Sequence, residues 1–272
     1  MNRIIERRVL VPNIHLLTVE APYVAKKIQP GHFVIIKVDE AGERIPLTVA
    51  DWDREKGSVS CVFMQVGRST RKLATLADGM EVPTFVGPLG KMIEVEKFGT
   101  VACVGGCYGI GSIYPVARAM KEAGNRVLSF IEARSRFLIY WDDKIRDVSD
   151  ELIISTSDRS MGQRGHNSDS LKERLEKGEK IDRVIAIGCT FMMYDVSEAT
   201  RPFDVKTIVS LNPVMVDGTG MCGACRVEVD GKTKFACVDG PDFDGHQVAW
   251  DLLLSRRKAY VKEETVSEEV SL

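Results

Sequence analysis

Three cysteines in the C-terminal third of the chain have the spacing of metal ligands. Cys222 and Cys225 form a C-x2-C turn, and Cys237 follows after eleven further residues. Two thiolates on one turn and a third returned by a hairpin are able to hold one metal centre. The small residues between Cys222 and Cys225 let backbone amides approach the sulfur atoms. Three thiolates leave one ligand position for another side chain.

Asp217 is the candidate for that fourth ligand. In the C-x4-C-x2-C spacing of iron–sulfur proteins, the first ligand stands five positions before the second, and here that position is Asp217. A carboxylate there completes a [2Fe–2S] ligand set. A zinc site with Cys222, Cys225, Cys237 and His246 is the competing interpretation, because three thiolates and an imidazole are a common structural zinc set. Unligated thiols are a third alternative.

The second motif is a glycine-rich loop that follows the short apolar run Val101–Val104 and precedes a helical pattern. Its glycines are Gly105, Gly106, Gly109 and Gly111. Glycine has no Cβ, so the backbone amides and the helix N-terminus are able to face a pyrophosphate. The G-x-G-x-x-G spacing is absent in register, which disfavours a standard dehydrogenase. A simple packing turn is the alternative interpretation.

Charged residues close the next strand of this pattern. Glu132 and Arg134 follow an apolar run, at a place where an acid binds ribose hydroxyls and an arginine meets a 2′-phosphate. Since both residue types are present, they do not decide between NADH and NADPH as the cofactor. The alternative is that both are solvated charges at a strand end.

Two short motifs in the N-terminal part present small and hydroxyl residues. Pro46, Leu47 and Thr48 offer backbone amides and a hydroxyl to a planar ring. About twenty residues further on, Gly67, Ser69 and Thr70 offer a glycine-hydroxyl turn to phosphates. Each motif alone is also typical of an ordinary turn in a barrel.

The elements that must position these residues fall into two kinds. Residues 1–97 contain short β-branched runs such as Ile4–Val11, His32–Val38 and Ser58–Val66, separated by turn residues, which predicts an antiparallel β-barrel. From residue 98 to 210, apolar strands alternate with amphipathic helices, which predicts a parallel sheet in an α/β domain. The predicted helices are Ile113–Glu122, Asp169–Lys177 and Phe191–Ala199.

The C-terminal part differs in residue composition from the two parts before it. Residues 211–250 are rich in glycine and cysteine and contain one predicted hairpin, Arg226–Val229 turning at Asp230-Gly231, so we expect a small metal-binding segment. Residues 251–272 are predicted to form the end of an amphipathic helix and a charged tail.

Composition excludes several classes of protein. The chain has 272 residues, 44% hydrophobic and 28% charged, which is typical of about two folded domains. With a net charge of −2, the chain has no overall positive potential that would attract nucleic acid or an anionic membrane. The seven cysteines cannot all pair, and neither a signal-peptide core nor a long apolar run occurs. We therefore expect a soluble cytoplasmic protein with no nucleic-acid or membrane partner.

Together and in this order, the motifs resemble the ferredoxin-reductase-like flavoprotein superfamily over about residues 1–245. Within it, the chain is similar to electron-transfer subunits that add a C-terminal [2Fe–2S] segment. These are the small (alpha) subunit of NADH-dependent ferredoxin:NADP+ oxidoreductase, also called sulfide dehydrogenase, and the dihydroorotate dehydrogenase electron-transfer subunit. The most specific element is the cluster segment that ends in Cys237-Val-Asp-Gly-Pro.

The resemblance implies roles for individual residues. FAD would meet Pro46, Leu47 and Thr48 at its ring and Gly67, Ser69 and Thr70 near its pyrophosphate. NAD(H) or NADP(H) would meet the four glycines of the loop, together with Thr156 and Asp158. Cys189 resembles the cysteine of the family's C-G-P-x-x-M element, shifted by one place, and is the expected catalytic residue beside the nicotinamide.

Two departures from the family pattern bear on these roles. If Thr48 matches the serine of the family's R-x-Y-S flavin motif, the arginine position holds Ile45 and leaves Arg44 one residue away. The dihydroorotate subunits have a cysteine where this chain has Asp217, which favours the ferredoxin:NADP+ oxidoreductase branch.

The resemblance therefore implies a flavin iron–sulfur oxidoreductase subunit that passes electrons between NAD(H), FAD and the cluster. Its expected partner is a larger flavin and iron–sulfur subunit in a heterodimer, with ferredoxin reached through the complex, and electron bifurcation is left open. The alternatives are a dihydroorotate dehydrogenase electron-transfer subunit and a zinc-stabilised nucleotide-binding protein without enzymatic activity.

Overall fold

The computed structural model describes residues 2–263 and 266. Its N-terminal part is a seven-stranded antiparallel sheet with the order β6-β1-β2-β5-β4-β3-β7. The strands are β1 (Asn2–Val11), β2 (Ile14–Glu20), β3 (Phe33–Lys37), β4 (Ile45–Asp53), β5 (Ser58–Met64), β6 (Glu81–Val82) and β7 (Thr84–Leu89). The sheet curls into a near-barrel around buried side chains that include Leu17, Ile36 and Phe63. Two short helices, α1 (Pro22–Lys27) and α2 (Arg68–Ala74), lie in its connections.

A second sheet follows, and its central strands are parallel. They are β8 (Thr100–Gly106), β9 (Arg126–Ala133), β10 (Glu151–Thr156), β11 (Gln163–Arg164), β12 (Arg183–Ile187) and β13 (Thr207–Ser210). The order is β11-β10-β9-β8-β12-β13, so the direction of winding reverses between β8 and β12. In open parallel sheets, ligands bind at the carboxyl ends of the strands beside such a reversal.

Helices connect the parallel strands. They are α3 (Gly109–Glu122), α4 (Asp142–Asp147), α5 (Asn167–Glu176) and α6 (Thr190–Thr200). The buried face of α3 includes Ile113, Val116 and Met120, which recur at helical spacing and pack on the sheet. This alternation confirms the α/β arrangement predicted for residues 98–210.

The C-terminal segment is not a free-standing appendage. It forms the hairpin of β14 (Arg226–Val229) and β15 (Lys232–Phe235) and then β16 (Asp242–Asp244), which pairs antiparallel with β13 at the edge of the second sheet. The helix α7 (Trp250–Arg257) follows and packs on the same core through Trp250 and Leu253.

The two sheets are joined by a charged and aromatic contact. The carboxylate of Asp51 on β4 accepts hydrogen bonds from Arg118 on α3 at 3.0 Å and from Lys144 on α4 at 2.9 Å. The Arg118 guanidinium also lies over the ring of Trp52, 4.9 Å from its centroid. One carboxylate of the barrel therefore holds two helices of the α/β domain.

The structure confirms the predicted fold class, with an antiparallel near-barrel, a mostly parallel sheet and the hairpin at Asp230-Gly231. The amphipathic patterns located the predicted helices to within a few residues, although α3 begins at Gly109 rather than Ile113, whereas α1, α2 and α4 were not predicted. The domain boundaries remain predictions, and the end of the charged tail lies partly outside the described residues. Among the described residues, no helix is long and apolar enough to cross a membrane.

Candidate functional site

The cysteine segment places its predicted ligands in two pairs. The Sγ atoms of Cys225 and Cys237 lie 3.2 Å apart, and both side chains are buried. Burial and the neighbouring Cys225 raise the pKa of the Cys237 thiol. Metal binding replaces the protons of such buried thiols and converts them to thiolates.

The second pair is Asp217 and Cys222. One carboxylate oxygen of Asp217 accepts the backbone amide hydrogen of Cys222 at 2.9 Å, and the other accepts that of Thr219 at 2.9 Å. These amides and the Cys222 thiol lower the pKa of Asp217. Cys222 is exposed, unlike Cys225 and Cys237. The acid is therefore held ionised beside the outermost of the three cysteines.

The predicted ligands lie in two pairs, an arrangement that suits a binuclear cluster. Among residues 2–263 and 266, no three histidine, cysteine or acidic side chains stand close enough together to hold one metal ion. A [2Fe–2S] cluster requires two ligands on each iron, which matches one pair formed by Asp217 and Cys222 and another formed by Cys225 and Cys237. The fourth zinc ligand considered above, His246, instead has its Nε2 atom 2.9 Å from the Thr200 hydroxyl.

The cysteine segment rests on the barrel. Cys225 and Cys237 share a small buried cluster with Phe33 and Ile35 of β3. In the β3–β4 ladder, Phe33 pairs with Thr48 and Ile35 pairs with Pro46. Paired residues of adjacent strands point to the same face of a sheet, so Pro46 and Thr48 lie on the face of the barrel that carries the cysteine segment, one strand over from Phe33 and Ile35.

The residues of that ring-binding motif do not all face the same way. Pro46 and Thr48 are half-buried on one face of β4, whereas Leu47 points into the barrel core and is 7% exposed. Strand alternation produces this difference. Pro46 and Thr48 thus present side chains at the surface, and Leu47 has only its backbone to offer to a ring.

The predicted phosphate turn lies at the start of α2. The Thr70 hydroxyl is 3.0 Å from the amide of Gly67 and 3.0 Å from that of Val66, so it caps the helix. The Ser69 hydroxyl donates to Glu43. These contacts give Thr70 and Ser69 structural partners in addition to their predicted role.

A cavity of about 200 Å³ opens beside this turn. Its lining includes Ser69 together with Arg68 and Lys72, two cations that the sequence analysis did not select. Lys72 forms an ion pair with Asp39 across the cavity. Their position four residues apart on α2, next to a glycine-hydroxyl turn, is the signal that could have identified them as candidate phosphate contacts.

The glycine loop is shaped first by packing. A Cβ on Gly109 would stand 2.0 Å from the carbonyl oxygen of Ile187, and one on Gly111 would stand 2.7 Å from a methyl group of Val62 on β5. These two glycines therefore let α3 lie directly against β12 and against the barrel. Gly105 and Gly106 end β8 and are buried as well.

Two residues that the sequence analysis missed hold this loop. The Tyr140 hydroxyl donates to the carbonyl of Cys107 at 2.9 Å and accepts the amide hydrogen of Gly111 at 3.0 Å. The Asn167 side-chain amide donates to the carbonyl of Gly105 at 3.1 Å. No local pattern marks Tyr140 or Asn167, because each reaches the loop from a distant part of the chain.

The other predicted nucleotide residues gather at the same edge of the sheet. Glu132 is half-buried at the end of β9, and burial raises its pKa. The backbone amide of Asn167 donates a hydrogen bond to its carboxylate at 2.6 Å. Arg134 is exposed just beyond it, and Asp158 is exposed after β10. Thr156 is buried, and its hydroxyl donates to the carbonyl of Met161 at 2.8 Å.

Cys189 lies immediately after β12 and caps α6. Its Sγ atom accepts the amide hydrogen of Met192 at 3.4 Å, and the side chain is exposed. The parallel topology thus brings Cys189, the glycine loop and Glu132 to the same edge of the sheet, at the reversal between β8 and β12, where the nucleotide crevice is expected.

Known proteins with similar sequences share these features. Residues 212–249, which contain Asp217 and the three cysteines, match the family model described as the iron-sulfur cluster binding domain of dihydroorotate dehydrogenase B. A Thermotoga maritima protein described as a dihydroorotate dehydrogenase B (NAD(+)) electron transfer subunit homolog is 43% identical over 99% of this chain and 95% of its own length. The chain belongs to this family of electron-transfer subunit homologues.

Other family-level similarities cover the whole chain. An uncharacterized protein from Clostridium beijerinckii is 45% identical over 97% of this chain and 92% of its own length. A solved structure of the NADH-dependent reduced ferredoxin-NADP oxidoreductase, described in connection with flavin-based electron bifurcation, is 42% identical over 99% of this chain and 97% of that chain, with a TM-score of 0.93. The present chain is thus an oxidoreductase electron-transfer subunit homologue with a ferredoxin-reductase-like fold and a C-terminal iron–sulfur segment.

Proposed function

We propose that this chain passes electrons between NAD(H), FAD and a [2Fe–2S] cluster as the smaller subunit of a ferredoxin:NADP+ oxidoreductase complex. The observation that carries the proposal is the shared strand β3. Its residues Phe33 and Ile35 belong to the same buried cluster as the cysteine pair and are paired in the sheet with Thr48 and Pro46. A cluster and a flavin held by these residues would be close neighbours.

In this proposal, the chain positions the flavin, the nicotinamide and the cluster relative to one another. Bound flavin would exchange a hydride with the nicotinamide and single electrons with the cluster. Pro46 and Thr48 would hold one face of the flavin ring, while Arg68 and Lys72 would supply positive charge to its pyrophosphate. The glycine loop and Cys189 would seat the dinucleotide at the sheet edge, and α3 would fix its distance from β4 by direct packing on the barrel.

Asp217 favours the ferredoxin:NADP+ oxidoreductase over the dihydroorotate branch. A carboxylate is a harder ligand than a thiolate, so a cluster with one carboxylate ligand has a different potential from one held by four cysteines. The 42% identical solved structure, which spans nearly the whole of both chains, supports the same assignment.

A dihydroorotate dehydrogenase electron-transfer subunit is the second candidate. Its support is the match of residues 212–249 to the cluster-binding domain described for that enzyme. The two candidates differ in the partner, since one requires a larger flavin and iron–sulfur protein and the other a dihydroorotate-oxidising subunit. Copurification of the native complex under anaerobic conditions, followed by identification of the partner, separates them.

Chemical analysis tests the cofactors themselves. We expect the anaerobically isolated chain to contain flavin, iron and acid-labile sulfide, and its visible spectrum to bleach on addition of NADH or NADPH. Running the titration with each nucleotide determines which one is used. Zinc without iron or sulfide, and no flavin absorbance, would instead establish the zinc-stabilised nucleotide-binding alternative.

A further inference from the structure

A second pair of cysteines stands outside the iron–sulfur segment. Strands β8 and β12 are parallel neighbours, and their register pairs Gly105 with Ile187. One step further along both strands, the carbonyl oxygen of Gly106 is 3.1 Å from the point where a Cβ on Gly188 would stand. Just beyond the ends of these strands, the residue after each glycine is a cysteine, Cys107 after Gly106 and Cys189 after Gly188.

Contacts around the two cysteines keep these strand ends together. The Tyr108 hydroxyl donates to the carbonyl of Gly188 at 2.9 Å, which bridges the loop after β8 to the loop after β12. Adjacent strands are about 4.8 Å apart, and the Cα atoms of disulfide-bonded cysteines are about 4.4 to 6.8 Å apart. The spacing of the two strand ends that precede Cys107 and Cys189 therefore lies within the range of a disulfide.

The backbone at Cys107 is unusual for a cysteine. Its φ of 53° lies in the left-handed region, where glycine is the less strained residue. The rest of the loop uses glycine freely, yet this position carries an exposed thiol. Strain tolerated at a functional edge is a recognised sign that the side chain itself is required.

The two thiols are not equivalent. The Sγ atom of Cys189 is exposed at the start of α6 and accepts the amide hydrogen of Met192 at 3.4 Å. Burial raises the pKa of Cys107, and the nearby Cys189 and Glu132 add to that effect. Cys189 is therefore suited to attack first and Cys107 to complete the bond. Cys61 and Cys103 are buried, and burial raises the pKa of each to about 12, so they are poor competitors.

We propose that Cys107 and Cys189 form a reversible dithiol switch that a low-molecular-weight disulfide closes. The Cys189 thiolate attacks the external disulfide, forms a mixed disulfide and releases one thiol. The Cys107 thiolate then attacks the Cys189 sulfur, forms the internal disulfide and releases the second thiol. Two protein thiols are thus oxidised, one external disulfide is reduced to two thiols, and an external dithiol reverses the reaction.

The closed form would block the nucleotide crevice. The new bond would cross the gap between the ends of β8 and β12, where the sheet reverses and the nicotinamide is expected to lie. This consequence rests on the proposed function, whereas formation of the bond does not. A chain with the bond formed should bind NAD(H) at least tenfold more weakly than the reduced chain.

The test uses the full chain, anaerobically isolated with its metal and flavin content unchanged, in buffers of oxidised and reduced glutathione. After alkylation of free thiols and proteolysis, mass spectrometry should find a peptide that joins Cys107 to Cys189. In Cys107→Ser, glutathione should remain attached to Cys189 instead. Cys61→Ala, which changes a thiol buried in the barrel core, should form the same linked peptide as the native chain.

Glutathione on Cys189 of the native chain without the linked peptide would overturn the proposal, as would linkage of Cys189 to another cysteine. Calorimetric titration with NAD+ and NADH then compares the linked and reduced forms. Equal affinity of the two forms contradicts the blocking effect. A linked peptide in a chain whose reduced form binds neither nucleotide supports the switch and contradicts the proposed function.

Discussion

The carboxylate of Asp217 accepts the amide hydrogen of Cys222 at 2.9 Å, five residues further along the chain. This contact puts an acid and a cysteine side by side at the outer end of the cluster segment, opposite the buried pair of Cys225 and Cys237. The loop between them turns at Gly218, which has a φ of 74° and packs against Ile35 of the barrel. The acid is thereby tied both to the cysteine segment and to the barrel.

Replacement of Asp217 tests its role as a ligand. Asp217→Cys should retain a cluster with a changed electron paramagnetic resonance spectrum, because thiolate is a softer ligand than carboxylate. Asp217→Ala should lower the iron content severalfold, since one ligand is lost. The matched control Asp230→Asn changes an exposed acid on the hairpin turn and should alter neither property. Identical native-like spectra in all three variants would show that Asp217 is not a ligand.

A pair of glycine variants separates packing from ligand binding. Gly109→Ala should lower the free energy of unfolding by about 1–3 kcal/mol, because the new Cβ meets the carbonyl oxygen of Ile187. Gly67→Ala should change it by less than about 0.5 kcal/mol, since nothing lies within 4 Å of its Cβ position. Urea unfolding of both variants provides the measurement. Equal stabilities would contradict the packing role assigned to Gly109.

Asp242 should make stability depend on pH. Its carboxylate oxygens are buried, and burial raises its pKa to about 7, although the Ser210 hydroxyl opposes the shift. Between about pH 4 and pH 7 the folded chain holds this proton and the unfolded chain does not. The contribution of Asp242 to stability is therefore fully present below about pH 4 and is lost as the pH rises to about 7.

The corresponding variant is Asp242→Asn, which cannot ionise. Relative to the native chain, it should gain up to about 4 kcal/mol of stability between pH 4 and pH 8, from a shift of about three pKa units. Urea unfolding of the two chains across this range measures the difference. A difference that is independent of pH, or that changes in favour of the native chain, would contradict a raised pKa.

Asp51 should stabilise the junction between the two sheets. Asp51→Ala removes the partner of both Arg118 and Lys144, and we expect the free energy of unfolding to fall by about 1 kcal/mol, since these side chains are partly solvated. Glu176→Gln weakens a more exposed pair with Lys172 on one helix and serves as the control, with an effect of at most about 0.5 kcal/mol. Chemical denaturation followed by circular dichroism compares them, and equal effects would contradict the role of the junction.

The order of the elements could be predicted from the sequence because each pattern is local. Period-two runs such as Ser58–Val66 and helical runs such as Phe191–Ala199 report which face of an element is buried, and the structure places β5 and α6 there. The turn at Asp230-Gly231 is also local, since it needs only residues that tolerate a positive φ. The candidate cluster residues were selected for the same reason, because their spacing alone predicts that they share a metal centre.

Only the tertiary structure decided which residues surround the crevice and how the cluster segment meets the barrel. Tyr140 and Asn167 reach the glycine loop across long sequence separations, and Phe33 and Ile35 contact the cysteines through packing. Such contacts leave no periodic signal, because the hydrophobic effect that drives them depends on buried area and is not directional. The sequence determined the chemistry available to this protein, and the packing of the two sheets determined where that chemistry lies.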